Sequence, residues 1–299
     1  MKLFNARIVL IVLLIILMGT LSGCAPVPVV PSWSSLLVTR GILYMGSQAG
    51  RVYALNAASG AEIWQHPAAS EKGGVGPLYA EPVLLDDTLY IGSFDNHLYA
   101  LDAHTGSQRW VFTSSGSILA DVLIADGTLY VGSNDHKVYA LDASTGLKKW
   151  EFATGNWIWG RPCANGGKVY VSSLDHRLYC LDASNGQKRW EFKAGGAFAG
   201  GPTVAGDLVY CGAFDNKIHA VDAENGSVRW QFETGHWVWA SPLVVSDTVY
   251  VGSLDKKLYA LDALVGTKRW EFEAKGMIRA TPACANGLLY ISTEAGTLH

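Results

Sequence analysis

The chain carries no excess of positive charge. Lys and Arg number 23, Asp and Glu 26, and the formal net charge is −3. A nucleic-acid binder neutralises phosphates with a basic footprint, so that class is excluded. Charged residues of either sign make up only 16% of the sequence. Cysteine is sparse as well. The five are Cys24, Cys163, Cys180, Cys211 and Cys284, and no two are adjacent. No haem attachment motif is present, and no acid–base pair stands apart from the rest, so no catalytic residue is assigned and no metal site is expected. A helical apolar pattern, recurring every 3.6 residues, is also missing.

One apolar run occurs, from Ile8 to Met18, behind Lys2 and Arg7. It is too short for a membrane span, which needs about 20 apolar residues. A short basic start, an apolar stretch and small residues form a secretory signal. Leu21-Ser22-Gly23-Cys24 resembles a bacterial lipobox, which implies that Cys24 becomes the lipidated first residue of the mature chain. Several acyl chains anchor stably where one is marginal. The expected divisions are residues 1–23 as lipoprotein signal peptide, 24–33 as a Pro-rich tether and 34–299 as the folded domain. The expected location is outside the cytoplasm. In a host with two membranes it is the periplasmic face of the outer one, and otherwise the cell surface.

What the sequence has in plenty is glycine (33), tyrosine (13) and tryptophan (11). Glycine supplies tight turns, and aromatics favour sheet positions. They are also periodic. Trp64, Trp110, Trp150, Trp190, Trp230 and Trp270 each close a similar phrase, 46 residues apart once and 40 thereafter. Tyr44, Tyr90, Tyr130, Tyr170, Tyr210, Tyr250 and Tyr290 keep the same register. One repeat reads as four strands: 119–125, 129–133, 138–142 and 149–152. Gly127, a polar turn at 134–137 and a second turn at 143–146 separate them. Strands apolar on both faces suit sheets stacked between two neighbours. A 40-residue, four-stranded unit predicts an all-β fold, a β-propeller of antiparallel blades.

The phrase Leu101-Asp102-Ala103-His104-Thr105-Gly106-Ser107-Gln108-Arg109-Trp110 assigns its own roles. Asp102 caps the turn, Gly106 closes it in the left-handed conformation, and Trp110 docks on the next blade. Burying an indole of about 150–250 Å² contributes about 4–6 kcal/mol gross at roughly 25 cal/mol/Å². All six phrase-ending tryptophans are read as structural. Asp95, Asp135, Asp175, Asp215 and Asp255 recur at one turn, and so are read as serving it rather than catalysis.

This recurring phrase resembles the tryptophan-docking motif of the pyrroloquinoline-quinone (PQQ)-like propeller repeats, over residues 34 to 299. The family includes quinoprotein dehydrogenases, which hold PQQ and calcium at the propeller axis beside a pair of adjacent cysteines. It also includes BamB-type lipoproteins, scaffolds of outer-membrane β-barrel assembly. A lipobox on a bare propeller, with no adjacent cysteines, looks like the second kind. That resemblance implies a protein-binding scaffold rather than an enzyme, with PQQ not expected as cofactor. The expected partners are a membrane, through the anchor, and a protein, with the chain monomeric outside that complex.

Function should reside where the repeats diverge. Asn156-Trp157-Ile158-Trp159-Gly160-Arg161 and His236-Trp237-Val238-Trp239-Ala240-Ser241 stand at one place in alternate blades. Two readings apply. Trp157, Trp159, Arg161, Trp237, Trp239 and Arg279 could form an aromatic rim for a peptide or planar ligand, or the indoles could fill blade interfaces. The polar turns with His97, His136, His176, Lys137, Arg177, Lys217 and Lys256 are placed on the same face, as a solvated rim. A small-ligand sensor or carrier is the alternative function. Cys163, Cys180, Cys211 and Cys284 are read as small apolar fillers, with a disulfide left open. Seven second strands but six docking tryptophans predict seven blades with the last incomplete. The BamB type has eight, and a truncated member remains the alternative.

Overall fold

The computed structural model describes residues 36–70 and 74–299. The signal, Cys24 and the tether lie outside the described residues. From Leu36 onward the chain forms six four-stranded antiparallel sheets and a two-stranded seventh, each meandering in chain order. It is a β-propeller with its seventh blade incomplete. No helix occurs among the described residues.

The blade at 123–153 shows the local logic. Its strands are Leu123–Ala125, Thr128–Gly132, Lys137–Asp142 and Lys148–Ala153. Tyr130 pairs with Ala140, and Ala140 with Trp150. Small Ala140 thus sits between two large rings on one face. A bulge follows at Ala140/Leu141, and its equivalent recurs in each of the six complete blades. The extra residue is Lys149, which reaches back to Thr128 Oγ1 at 2.8 Å; a bulge re-aims a side chain in this way.

The first strand is shorter than 119–125, beginning at Leu123. Its inner half carries no sheet pairing. In five other repeats Pro82, Pro162, Pro202, Pro242 and Pro282 stand where this blade has Val122, so there the same stop is built into the sequence. Proline has no N–H for the ladder. Lys137 belongs to the third strand rather than the turn, since it pairs with Ala153.

Blades are joined by their tryptophans. The indole N–H of Trp64 donates to the carbonyl of Ala103 at 2.9 Å. Trp110, Trp150, Trp190 and Trp230 do the same to Ala143, Ala183, Ala223 and Ala263, at 2.9–3.2 Å. The second-strand tyrosine of the same blade donates to that same carbonyl, as Tyr90 does to Ala143 at 2.8 Å. One carbonyl oxygen has two lone pairs, and both are used. Trp270 departs from the pattern expected of it. No following turn is reached before His299, and its indole is 44% exposed beside Tyr250.

Candidate aromatic mouth and axial cavity

Each segment that enters a blade runs past the polar turn of the blade before it. The turn aspartate ties the two together. Asp135 accepts the Lys137 backbone N–H, the Tyr139 hydroxyl at 2.6 Å and the Ser115 N–H at 2.9 Å. The hydrogen bond and burial together raise the Tyr139 hydroxyl far above its usual range, burial contributing most. Asp175 and Asp255 repeat this arrangement. In the 203–233 blade His219 replaces the tyrosine. It lies buried, 3.1 Å from Asp215, with Gln231 Nε2 at 3.0 Å from its Nδ1. The carboxylate accepts and the amide donates, so His219 carries its proton on Nε2.

In the entering segment 154–162, the side chain that fills the blade interface is neither tryptophan. Ile158 is fully buried, and its Cγ2 occupies the space a Cβ would take on Gly132. Val238 does the same over Gly212. Flanking residues on an irregular segment then point away from that interface. Trp157 and Trp237 are 42% and 43% exposed.

The indoles gather into one aromatic run. Trp157 lies 5.7 Å from Trp159, and Trp159 stacks on Trp239 at 5.8 Å. Trp239 meets Phe214 at 5.2 Å, and Phe214 stacks on Trp237 at 4.7 Å and 14°. Trp159 and Trp239 come from segments two blades apart. The intervening segment carries Ala199 at that register, beside Gly200 and Gly201. Trp159 is oriented by a 3.1 Å hydrogen bond from its indole N–H to Asn134. The Arg279 guanidinium lies over the Trp239 ring at 4.7 Å, held by Glu294 at 2.5 Å. A cation over an indole contributes about 0.5–2 kcal/mol, depending on desolvation. Asn134 and Phe214 belong to the polar turns, so these turns and the tryptophans share one face.

Arg161 is not part of this run. It lines a cavity of about 360 Å³ with Arg40, Glu81 and Asp121. Arg40 and Asp86, also in the lining, belong to turns between first and second strands, and Thr39 ends the first strand beside one of them. In a meander those turns lie at the opposite blade end from the turn holding Asn134. The cavity therefore opens at the other mouth of the axis. Glu81, Asp121 and Arg161 stand 40 residues apart, at one position in three successive blades. The Glu81 backbone N–H donates to Asp121 Oδ1 at 2.6 Å. Burial raises both carboxyls above their usual range, Asp121 raises Glu81 further, and Arg161 opposes the rise in each.

The turn histidines stay on separate blades. Among the described residues no group of three or more His, Cys, Asp or Glu could hold a metal ion. Cys163, Cys180, Cys211 and Cys284 are free thiols on different strands. Sequence reasoning missed Phe214, Glu294, Asn134, Glu81 and Asp121. The last two were readable from their register with Arg161.

Fold and site together define a bladed repeat scaffold with an aromatic mouth. The chain belongs to the family described as outer membrane protein assembly factor BamB, whose model matches residues 48–157 and again 154–298. Among solved structures, BamB from Moraxella catarrhalis superposes with a TM-score of 0.75 at 20% identity, covering 86% of this chain and 80% of that one. The computationally designed Ika8 protein gives 0.78 at 15% identity, covering 88% and 81%. These likenesses carry the fold. No curated protein matches the sequence.

Proposed function

We propose that this chain is an extracytoplasmic, lipid-anchored scaffold that binds a protein partner through its aromatic mouth, in the service of outer membrane protein assembly. The observation that carries the reading is the run from Trp157 through Trp159, Trp239 and Phe214 to Trp237, half-exposed at both ends. Exposed stacked aromatics are costly on a surface without a partner and are typical of interface anchors. Family membership supports the assembly role, and the lipobox at Cys24 supports the anchor. No catalytic role is assigned, because each recurrent aspartate is committed to its turn.

A photo-crosslinking residue placed at Trp157 or Trp237 in native membranes tests the reading. The expected result is a discrete crosslinked protein from both positions and none from Leu147, an exposed control on an outer turn. Crosslinks of equal yield from all three positions, or from none, overturn it. Labelled palmitate incorporated by the wild type and absent from Cys24→Ser tests the anchor separately.

A further inference from the structure

The cavity at the second mouth carries both signs of charge unspent. Among the described residues Arg161 forms no ion pair within 4 Å, although its field reaches Glu81 and Asp121. The Asp121 carboxylate accepts the Glu81 backbone N–H, its charge reaches the Glu81 carboxyl, and among the described residues no cation forms an ion pair with either. Leu37, Val83 and Leu84 supply an apolar wall beside them. Two partly desolvated carboxylates repel each other, and the exposed Arg161 guanidinium stands at the rim beside them, where it can meet an incoming carboxylate.

We propose that this cavity binds a free α-amino acid as its zwitterion. The ammonium group bridges Glu81 and Asp121, the carboxylate pairs with Arg161, and an apolar side chain lies on the Leu37–Leu84 wall. The ammonium offsets one of the two carboxylate charges and the carboxylate gives Arg161 a counter-ion, so each half contributes to binding. A volume of about 360 Å³ lies at the small end of ligand pockets, about 300–1,000 Å³, which suits a single amino acid rather than a folded segment. The inference stands apart from the protein-binding reading, since it uses the opposite mouth and none of the tryptophans.

Calorimetric titration of the full chain with three probes tests it. L-Leucine carries both charges, 3-methylbutylamine lacks the carboxylate and 4-methylpentanoate lacks the ammonium. Saturable binding of L-leucine, with each single-charge probe at least about tenfold weaker, is the expected result. In Arg161→Gln the preference for L-leucine over 3-methylbutylamine collapses. In Glu81→Gln the preference over 4-methylpentanoate collapses. The three-probe comparison on the wild type stands even if a variant fails to fold. The proposal is overturned if 3-methylbutylamine binds as well as L-leucine, which makes the cavity a cation site, or if 4-methylpentanoate does, which makes it an anion site. It is overturned equally if none of the three binds saturably.

Discussion

Gly186 lies beneath the indole of Trp150. Its φ is +74°, and a Cβ there would stand 2.6 Å from Cε3 of that ring. Two demands meet at one residue: a left-handed backbone, and nothing between it and the neighbouring blade's indole. Gly186→Ala should therefore cost about 2–4 kcal/mol, the left-handed penalty of about 1–2 kcal/mol plus displacement of the ring. Urea denaturation measures it. Gly127→Ala, where a Cβ meets nothing, should cost only the backbone share.

Trp150→Ala and Trp157→Ala should separate packing from surface. Trp150 is buried and bonded to Ala183, so its loss should cost about 3–5 kcal/mol. Trp157 is half-exposed, so its loss should stay within about 1 kcal/mol while crosslinking of the partner falls. A large drop in stability for Trp157→Ala would make that indole part of the core.

Acid should loosen the 203–233 blade through Asp215. Burial, the largest single influence, would raise its carboxyl, but the hydrogen bonds from His219 and from the Gly195 and Lys217 backbone N–H groups together hold it below the ordinary value. A depressed carboxyl contributes stability that is fully present above the unfolded pKa, about 3.9. That stability is lost as pH falls through the lower folded value. The urea midpoint of the wild type should fall between pH 5 and pH 2. Asp215→Asn should start lower and fall less across that window.

The thiols should differ sharply in reactivity. Burial pushes Cys180 up to about 12, and raises Cys163 and Cys211 strongly as well. Cys284 is exposed. A thiol reagent acts on the thiolate. In a Cys24→Ser chain, native protein should titrate with one fast thiol and denatured protein with four. A second fast thiol in native protein would mean that the 163–233 region opens readily.

Much of the fold was legible because one pattern recurs. A tryptophan every 40 residues, a glycine four before it and an aspartate or asparagine eight before it leave few alternatives to stacked blades. The first strand was misjudged in length because the run 119–125 holds no stop signal of its own: the prolines that mark the end of the ladder stand at the equivalent position of other repeats, where this one has Val122. The site was half legible. Trp157, Trp159, Trp237 and Trp239 stood out as departures from the repeat, whereas their packing depends on irregular backbone. Alternation on a strand would have placed Trp157 and Trp159 as a shared face and left Ile158 outside; the structure buries Ile158 against Gly132 instead. Arg161 misled for a related reason, since proximity to Trp159 in sequence says nothing about which mouth of the axis its guanidinium reaches.

Each indole hydrogen-bonds to a carbonyl that lies later in the chain: Trp64 to Ala103, Trp110 to Ala143, and onward to Trp230 with Ala263. A polypeptide emerging amino end first thus makes each of these five tryptophans before its acceptor exists. Each latched blade stays open until a further 33–39 residues have left the ribosome or the translocon. Growth is a zipper with a fixed direction, and its youngest tooth is always the loosest.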